Sequence, residues 1–188
     1  MAPEGDHSPT ADGAALEVVL EDLEWSHVDA DIENLAAACF RAVQAALDDA
    51  SEPVRTALSL TGPMGGAALL LADDAALERL NGQFRGKPQP TNVLAFPSGE
   101  EAFIGDIAIA RETCVRQAAA LGKPVRDHLA HLIVHGLLHL IGLDHHTDED
   151  AERMETMEAL VLARIGVEAP YADRPDAVDG EIANGGAR

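Results

Sequence analysis

The sequence predicts an α+β fold: a single small mixed β-sheet packed against helices, one of which carries a cluster of histidines. Two observations predict it. Short apolar runs bounded by Gly, Pro and Asp fall mostly before residue 110, while apolar residues at helical spacing dominate after it. Strands gathered early and helices late pack as one sheet covered by helices.

The elements follow in order. Residues 1–13 are rich in Pro, Gly, Ser and acids and read as a flexible lead, residues 14–168 as the domain, and residues 169–188 as a polar, disordered tail. Residues 16–20 form a short strand. Asp31 caps a helix reaching about residue 49, with Leu35, Ala38, Cys39, Ala42, Val43 and Ala46 on its apolar face. Residues 55–61 read as a strand, 61–66 as a turn and 67–72 as an apolar strand. Asp73 caps a helix through Asn81, and residues 84–92, with Gly86, Pro88 and Pro90, form a loop. Residues 93–96 and 105–109 are strands split by residues 97–101, and helices follow at about 111–121, 126–141 and 149–165. There are no internal repeats.

A chain of 188 residues, 47% hydrophobic but 3% aromatic, builds one domain with an aliphatic core. Two cysteines, Cys39 and Cys114, make no disulfide framework and read as small buried thiols in a reducing compartment. The acidic, polar start shows no signal peptide, and no apolar run reaches membrane-spanning length; the expectation is a soluble, cytoplasmic protein without a membrane partner. A net charge of −20 argues against non-specific nucleic-acid binding if it is evenly spread. It is not. Between Arg79 and Arg126 stand seven cations (Arg79, Arg85, Lys87, Arg111, Arg116, Lys123, Arg126) against four carboxylates, net +3. That window reads either as a basic groove or as ordinary solvated charge.

Six of the eight histidines lie between residues 128 and 146. His135 and His139, four apart, share a helix face and can point at one ion. Gly142 lets the chain leave the helix in a left-handed conformation, and the turn returns His145 as a third nitrogen ligand. The resulting His-x3-His-x5-His spacing is metalloprotease-like. Three protein ligands leave a fourth position open, the arrangement of a catalytic zinc, one per chain. His128 and His131 lie upstream on the same face and read as packing or supporting residues. A zincin protease carries its general base directly after the first histidine; here that position is Gly136, which speaks against peptide hydrolysis by that route. Asp144 reads either as a group orienting a ligand imidazole or the attacking water, or as helix-exit chemistry.

The segment His-Gly-Leu-Leu-His-Leu-Ile-Gly-Leu-Asp-His over residues 135–145 resembles the signature of the YbeY family, bacterial rRNA maturation factors described as single-strand-specific, metal-dependent endoribonucleases. Residues 80–97, including Phe84-Arg85-Gly86-Lys87 and Thr91-Asn92-Val93-Leu94-Ala95-Phe96-Pro97, and residues 104–109 also match, so the similarity runs from about 67 to 165 and more loosely back to 16. The sequence departs from the commoner family form at Asn92 (usually Asp), Ala95 (usually Ser) and Leu143 (usually Tyr). The resemblance implies a metal-dependent hydrolase domain over residues 14–168, with His135, His139 and His145 as zinc ligands and Arg85 near the metal to hold a phosphate. The planar guanidinium fork suits that role; without the resemblance Arg85 reads as a surface residue of a polar loop. Lys87, Arg111 and Arg126 can track an RNA backbone. Phe84 and Phe96 are the only aromatic residues suited to stacking on bases, Phe96 reading as core, so base-specific reading looks weak. The implied substrate is single-stranded RNA, the 16S rRNA precursor, cut in 3′-end maturation and small-subunit quality control, with the small ribosomal subunit and its proteins as partners. Two rivals are a zinc hydrolase of amide bonds and a non-catalytic zinc-containing ribosome assembly factor.

Overall fold

A computed structural model describes residues 15–50 and 64–169. The expected lead, the 55–61 strand and most of the tail lie outside the described residues. Among the described residues, β1 (Leu16–Leu20) is followed by α1 (Trp25–Val28), α2 (Ile32–Asp48), β2 (Gly66–Ala72) and α3 (Asp74–Arg85). Then come β3 (Val93–Pro97), β4 (Phe103–Ala110), α4 (Arg111–Ala120), α5 (Val125–Leu140) and α6 (Asp148–Arg164). The sheet order is β1-β2-β4-β3. β1, β2 and β4 run parallel, and β3 returns antiparallel to β4. The predicted α+β class with one mixed sheet is the observed one.

Two apolar layers cover the sheet. The larger joins Leu69, Leu71, Ile107 and Ile109 to α2, α5 and α6; the smaller packs Leu77 of α3 against Leu94 and Ala108 on the opposite face. The central strand β2, Gly-Ala-Ala-Leu-Leu-Leu-Ala, is apolar throughout because both its faces are covered. Outer strand β1 alternates between half-buried and exposed residues. Helix α5 is buried on nearly every side because it touches α2, α4, α6, β3 and β4 at once. It also presses unusually close to the sheet. A Cβ at Gly136 would lie 2.9 Å from the Ile107 Cγ2 atom, so the absent side chain permits the contact.

The ends of the helices follow local chemistry. Asp73 accepts from the Ala76 N–H at 2.7 Å and caps α3, and Thr147 accepts from the Asp150 N–H at 3.2 Å and caps α6. Asp31 precedes α2 as expected, but its carboxylate takes the Asn34 side-chain amide instead of a helix N–H. Helix α3 runs four residues past Asn81, so the expected loop opens at Gly86 and not at Phe84. Gly82 stays within the helix; the left-handed residue that ends it is Gly86, with φ 67°. The short α1 was not expected from the sequence; it sets Trp25, fully buried, to donate through Nε1 to the Ala72 carbonyl at 3.1 Å. Cys39 and Cys114 are free buried thiols.

Four cations of the basic stretch are paired with acids. Arg111 meets Asp22 at 2.6 Å, Arg79 meets Glu21 and Arg116 meets Asp74, each at 3.6 Å, and Arg126 meets Asp29. The stretch is therefore largely neutralised by local carboxylates, including at two residues suited to tracking RNA, Arg111 and Arg126.

Gly136→Ala should overpack the helix–sheet contact and lower unfolding stability by about 1–3 kcal/mol, read from denaturant midpoints at unchanged m-value.

Candidate metal centre

The last turn of α5 and the loop after it bring three imidazoles together. His135 and His139 are one turn apart on α5. Gly142, at φ 93°, turns the chain; its N–H bonds the His139 carbonyl at 3.1 Å and the Leu143 N–H bonds the Leu138 carbonyl at 3.0 Å. These two bonds are a Schellman closure, which places an apolar residue just past the glycine. Leu143 fills that place and is buried in the main core with Leu138, so an aliphatic side chain serves there in place of Tyr. The next residues then swing His145 back over the helix end. The ring centroids of His135, His139 and His145 lie 4.5–5.6 Å apart.

The donor set fits a metal ion. One nitrogen from each of the three histidines lies within 4.8 Å of the others. Nε2 of His135 and Nε2 of His139 are 3.0 Å apart. Two ligands each about 2.0–2.1 Å from a tetrahedral zinc stand about 3.3 Å apart, so a small relaxation would seat the ion. Nε2 of His145 is buried without a hydrogen-bond partner among the described residues, which is costly unless something accepts its lone pair. Burial first, then the neighbouring His135 and His145, push His139 down to about 4, and burial and His135 lower His145 as well. His139 is thereby the neutral imidazole a metal requires.

Behind the trio stands Glu158, which the sequence reading missed. It is 1% exposed, on α6. Its Oε1 atom is 2.6 Å from Nδ1 of His135, and its Oε2 is 3.4 Å from Nε2 of His131. Burial opposes ionisation of Glu158, but hydrogen bonds and charge from His131 and His135 outweigh it and hold the carboxyl well below its usual range. An ionised Glu158 draws the His135 proton to Nδ1 and frees Nε2 for an ion. The signal was present: Met154, Glu158, Val161 and Leu162 form the buried stripe of α6, and an acid in such a stripe needs a partner. His131, Glu158 and His135 also converge closely enough to suggest a second ion. The 2.6 Å contact between Glu158 and His135 is a hydrogen bond and too short to admit one.

Asp144 lies beside the ligands. Its Oδ1 accepts the His145 N–H at 2.8 Å and stands 4.0 Å from Nδ1 of His139 and 3.9 Å from Nδ1 of His145, while Oδ2 takes Nδ1 of His146 at 2.5 Å. Both readings of Asp144, ligand orientation and loop exit, therefore have contacts. Arg85 is not in contact with the trio. It donates from Nη2 to the Ala95 carbonyl at 3.2 Å, and burial lowers its pKa. Ala95 pairs with Ile107, the residue on which Gly136 rests, so Arg85 stands at the free edge of the sheet on the rung where the histidine helix touches it. Position 136 itself points into Ile107 and away from any reacting group, leaving no room for a zincin base.

The supporting role expected of His128 and His131 divides between two networks. His131 faces Glu158. His128 is buried, with Nε2 3.1 Å from Oε1 of Gln117, which also accepts from Nδ2 of Asn92 at 3.0 Å. Oδ1 of Asn92 accepts the Val93 N–H at 2.8 Å. The amide at position 92 thus donates and accepts, where a carboxylate could only accept.

Two outcomes follow. Glu158→Gln, similar in size but uncharged, should weaken metal binding about 10–100-fold, read by competition with a chelator. Burial first, then His131 and Lys123, lower His128 from 6.5 to about 4. The unfolded chain then takes up this proton first, so His128 should cost stability as pH falls from 6.5 and stop doing so near 4. His128→Gln should flatten that part of the stability profile in denaturant titrations.

The family profile described as Endoribonuclease YbeY matches residues 26–166. A curated relative named Endoribonuclease YbeY, from Jannaschia sp. (strain CCS1), is 50% identical over 131 residues, 62% of this chain and 82% of its own. Another of that name, from Dinoroseobacter shibae, is 41% identical over 177 residues, covering 84% of this chain and 91% of its own. The solution structure of a Thermotoga maritima protein shares the fold, with a TM-score of 0.51 at 23% identity, over 87% of this chain and 99% of that one. With the profile spanning residues 26–166 and these relatives aligned over most of their length, the chain belongs to the YbeY endoribonuclease family.

Proposed function

We propose that the protein is a zinc-dependent endoribonuclease that cuts single-stranded RNA. One observation carries this reading beyond family membership: three imidazoles converge on a point where, among the described residues, the buried Nε2 of His145 has no hydrogen-bond partner. His135, His139 and His145 hold the ion through Nε2. Zinc bound there supplies a Lewis acid that works at neutral pH. Glu158 keeps the His135 proton on Nδ1, and Asp144 restrains His139 and His145 from behind. Arg85 donates to the non-bridging oxygens of the scissile phosphate as their charge grows. The nucleophile is water or the neighbouring 2′-hydroxyl, and the phosphodiester bond breaks. Within the family role, the substrate is the 16S rRNA precursor, matured at its 3′ end in the cytoplasm with the small ribosomal subunit and its proteins as partners.

The amide-hydrolase rival loses its support, because the residue after His135 packs on Ile107 and offers no base. The assembly-factor rival is decided by experiment. His139→Ala and Arg85→Ala should both lose cleavage of an unstructured RNA, Arg85→Ala by about 10²–10³-fold, the scale of losing one aligned donor to a developing oxyanion. Elemental analysis should find zinc retained in Arg85→Ala and lost in His139→Ala. If nuclease-free, zinc-loaded protein leaves RNA intact, the metal serves the fold and the docking reading stands.

A further inference from the structure

We propose that Phe84 is a nucleobase subsite: an unpaired base of the RNA stacks on its ring while Arg85 takes an adjoining phosphate. This rests on the ribonuclease reading of the metal centre. Phe84 is 60% exposed at the C-terminal end of α3, yet it is held in place. Its ring meets Phe96 edge-to-face, with centroids 5.2 Å apart and planes at 61°. Phe96 in turn packs on the smaller core beside Leu77 and Leu94. The Arg85 guanidinium carbon lies 5.9 Å from the Phe96 ring centroid, and its Nη2 is tied to the Ala95 carbonyl. One half-buried phenyl thus supports both an outward-facing ring and a cation.

A lone exposed phenyl is ordinary on a protein surface. Its position gives this one meaning. In the β3–β4 ladder the Ala110 N–H bonds the Asn92 carbonyl and the Ser98 N–H bonds the Ile104 carbonyl, so even-numbered residues of β3 face β4. Ala95 therefore turns its N–H and C=O out from the free edge. Arg85 occupies the carbonyl on the same rung as Ile107 and Gly136. A strand crossing this edge meets an aromatic face, then a cation and an outward N–H, then the histidine helix. Apolar face followed by phosphate donors is the alternation of a single-stranded nucleic acid. A duplex has its base faces covered, so a stacking subsite admits unpaired RNA and rejects paired RNA. Stacking tolerates any base, which suits a site with few groups to read base edges.

The test uses the full, zinc-loaded chain. Phe84→Ala should bind an unstructured RNA about 5- to 100-fold more weakly and raise KM with kcat little changed, while Phe84→Trp should bind like the parent. The new indole should lose fluorescence when a base stacks on it, while the fully buried Trp25 gives a constant background. An RNA carrying abasic positions should bind the parent as weakly as intact RNA binds Phe84→Ala. If Phe84→Ala binds and cleaves intact RNA like the parent, or if abasic and intact RNA bind the parent equally, the subsite is overturned while the ribonuclease reading stands; the ring then awaits a protein contact instead. If the parent neither binds nor cleaves any RNA, the ribonuclease reading falls and the subsite with it.

Discussion

The contact between Gly136 and Ile107 governs the arrangement of everything around it. Packed layers are normally held apart by the side chains between them; where one partner has none, the backbone can come closer. Here that approach fixes the depth and rotation of α5, and so the direction of His135 and His139. It also fixes what α5 can be chemically. The residue after the first histidine is turned into the core, so a side chain at that position would meet Ile107 and not the imidazoles.

The second constraint is electrostatic. A carboxylate that is 1% exposed is costly to keep ionised, and Glu158 meets the cost with two imidazoles. His135 has a partner on both sides, the Glu158 carboxylate at Nδ1 and Nε2 of His139 at Nε2. His145 is different, because it sits on a loop closed by two backbone bonds and one aspartate. Two donors of the trio are built into a buried helix and the third is delivered by a turn, so the rigid pair defines the place and the turn completes it.

Much of this was legible in the sequence, for identifiable reasons. Histidine spacing, the left-handed glycine after it and the apolar runs of β2 and β4 are local signals, and local periodicity is what a sequence displays. Glu158 was not found because its partner lies 23 residues away on another helix. Reading it required noticing an acid inside an apolar stripe, not a motif. The end of α3 was misplaced because Gly82 and Gly86 look alike in sequence, and the backbone turns left-handed only at the second. The basic window was legible as composition, but its neutralisation was not. Asp22 and Asp29 reach Arg111 and Arg126 across 89 and 97 residues.

The outer position of β3 has one more consequence. Among the described residues β3 has no strand on its outer side, and such an edge is a template on which another strand can add. The bond from Arg85 to the Ala95 carbonyl puts a charge across the middle of that flank, and Pro97 removes an N–H at its end. A charge and a proline on an outer strand are among the devices by which such sheet edges resist further strand pairing.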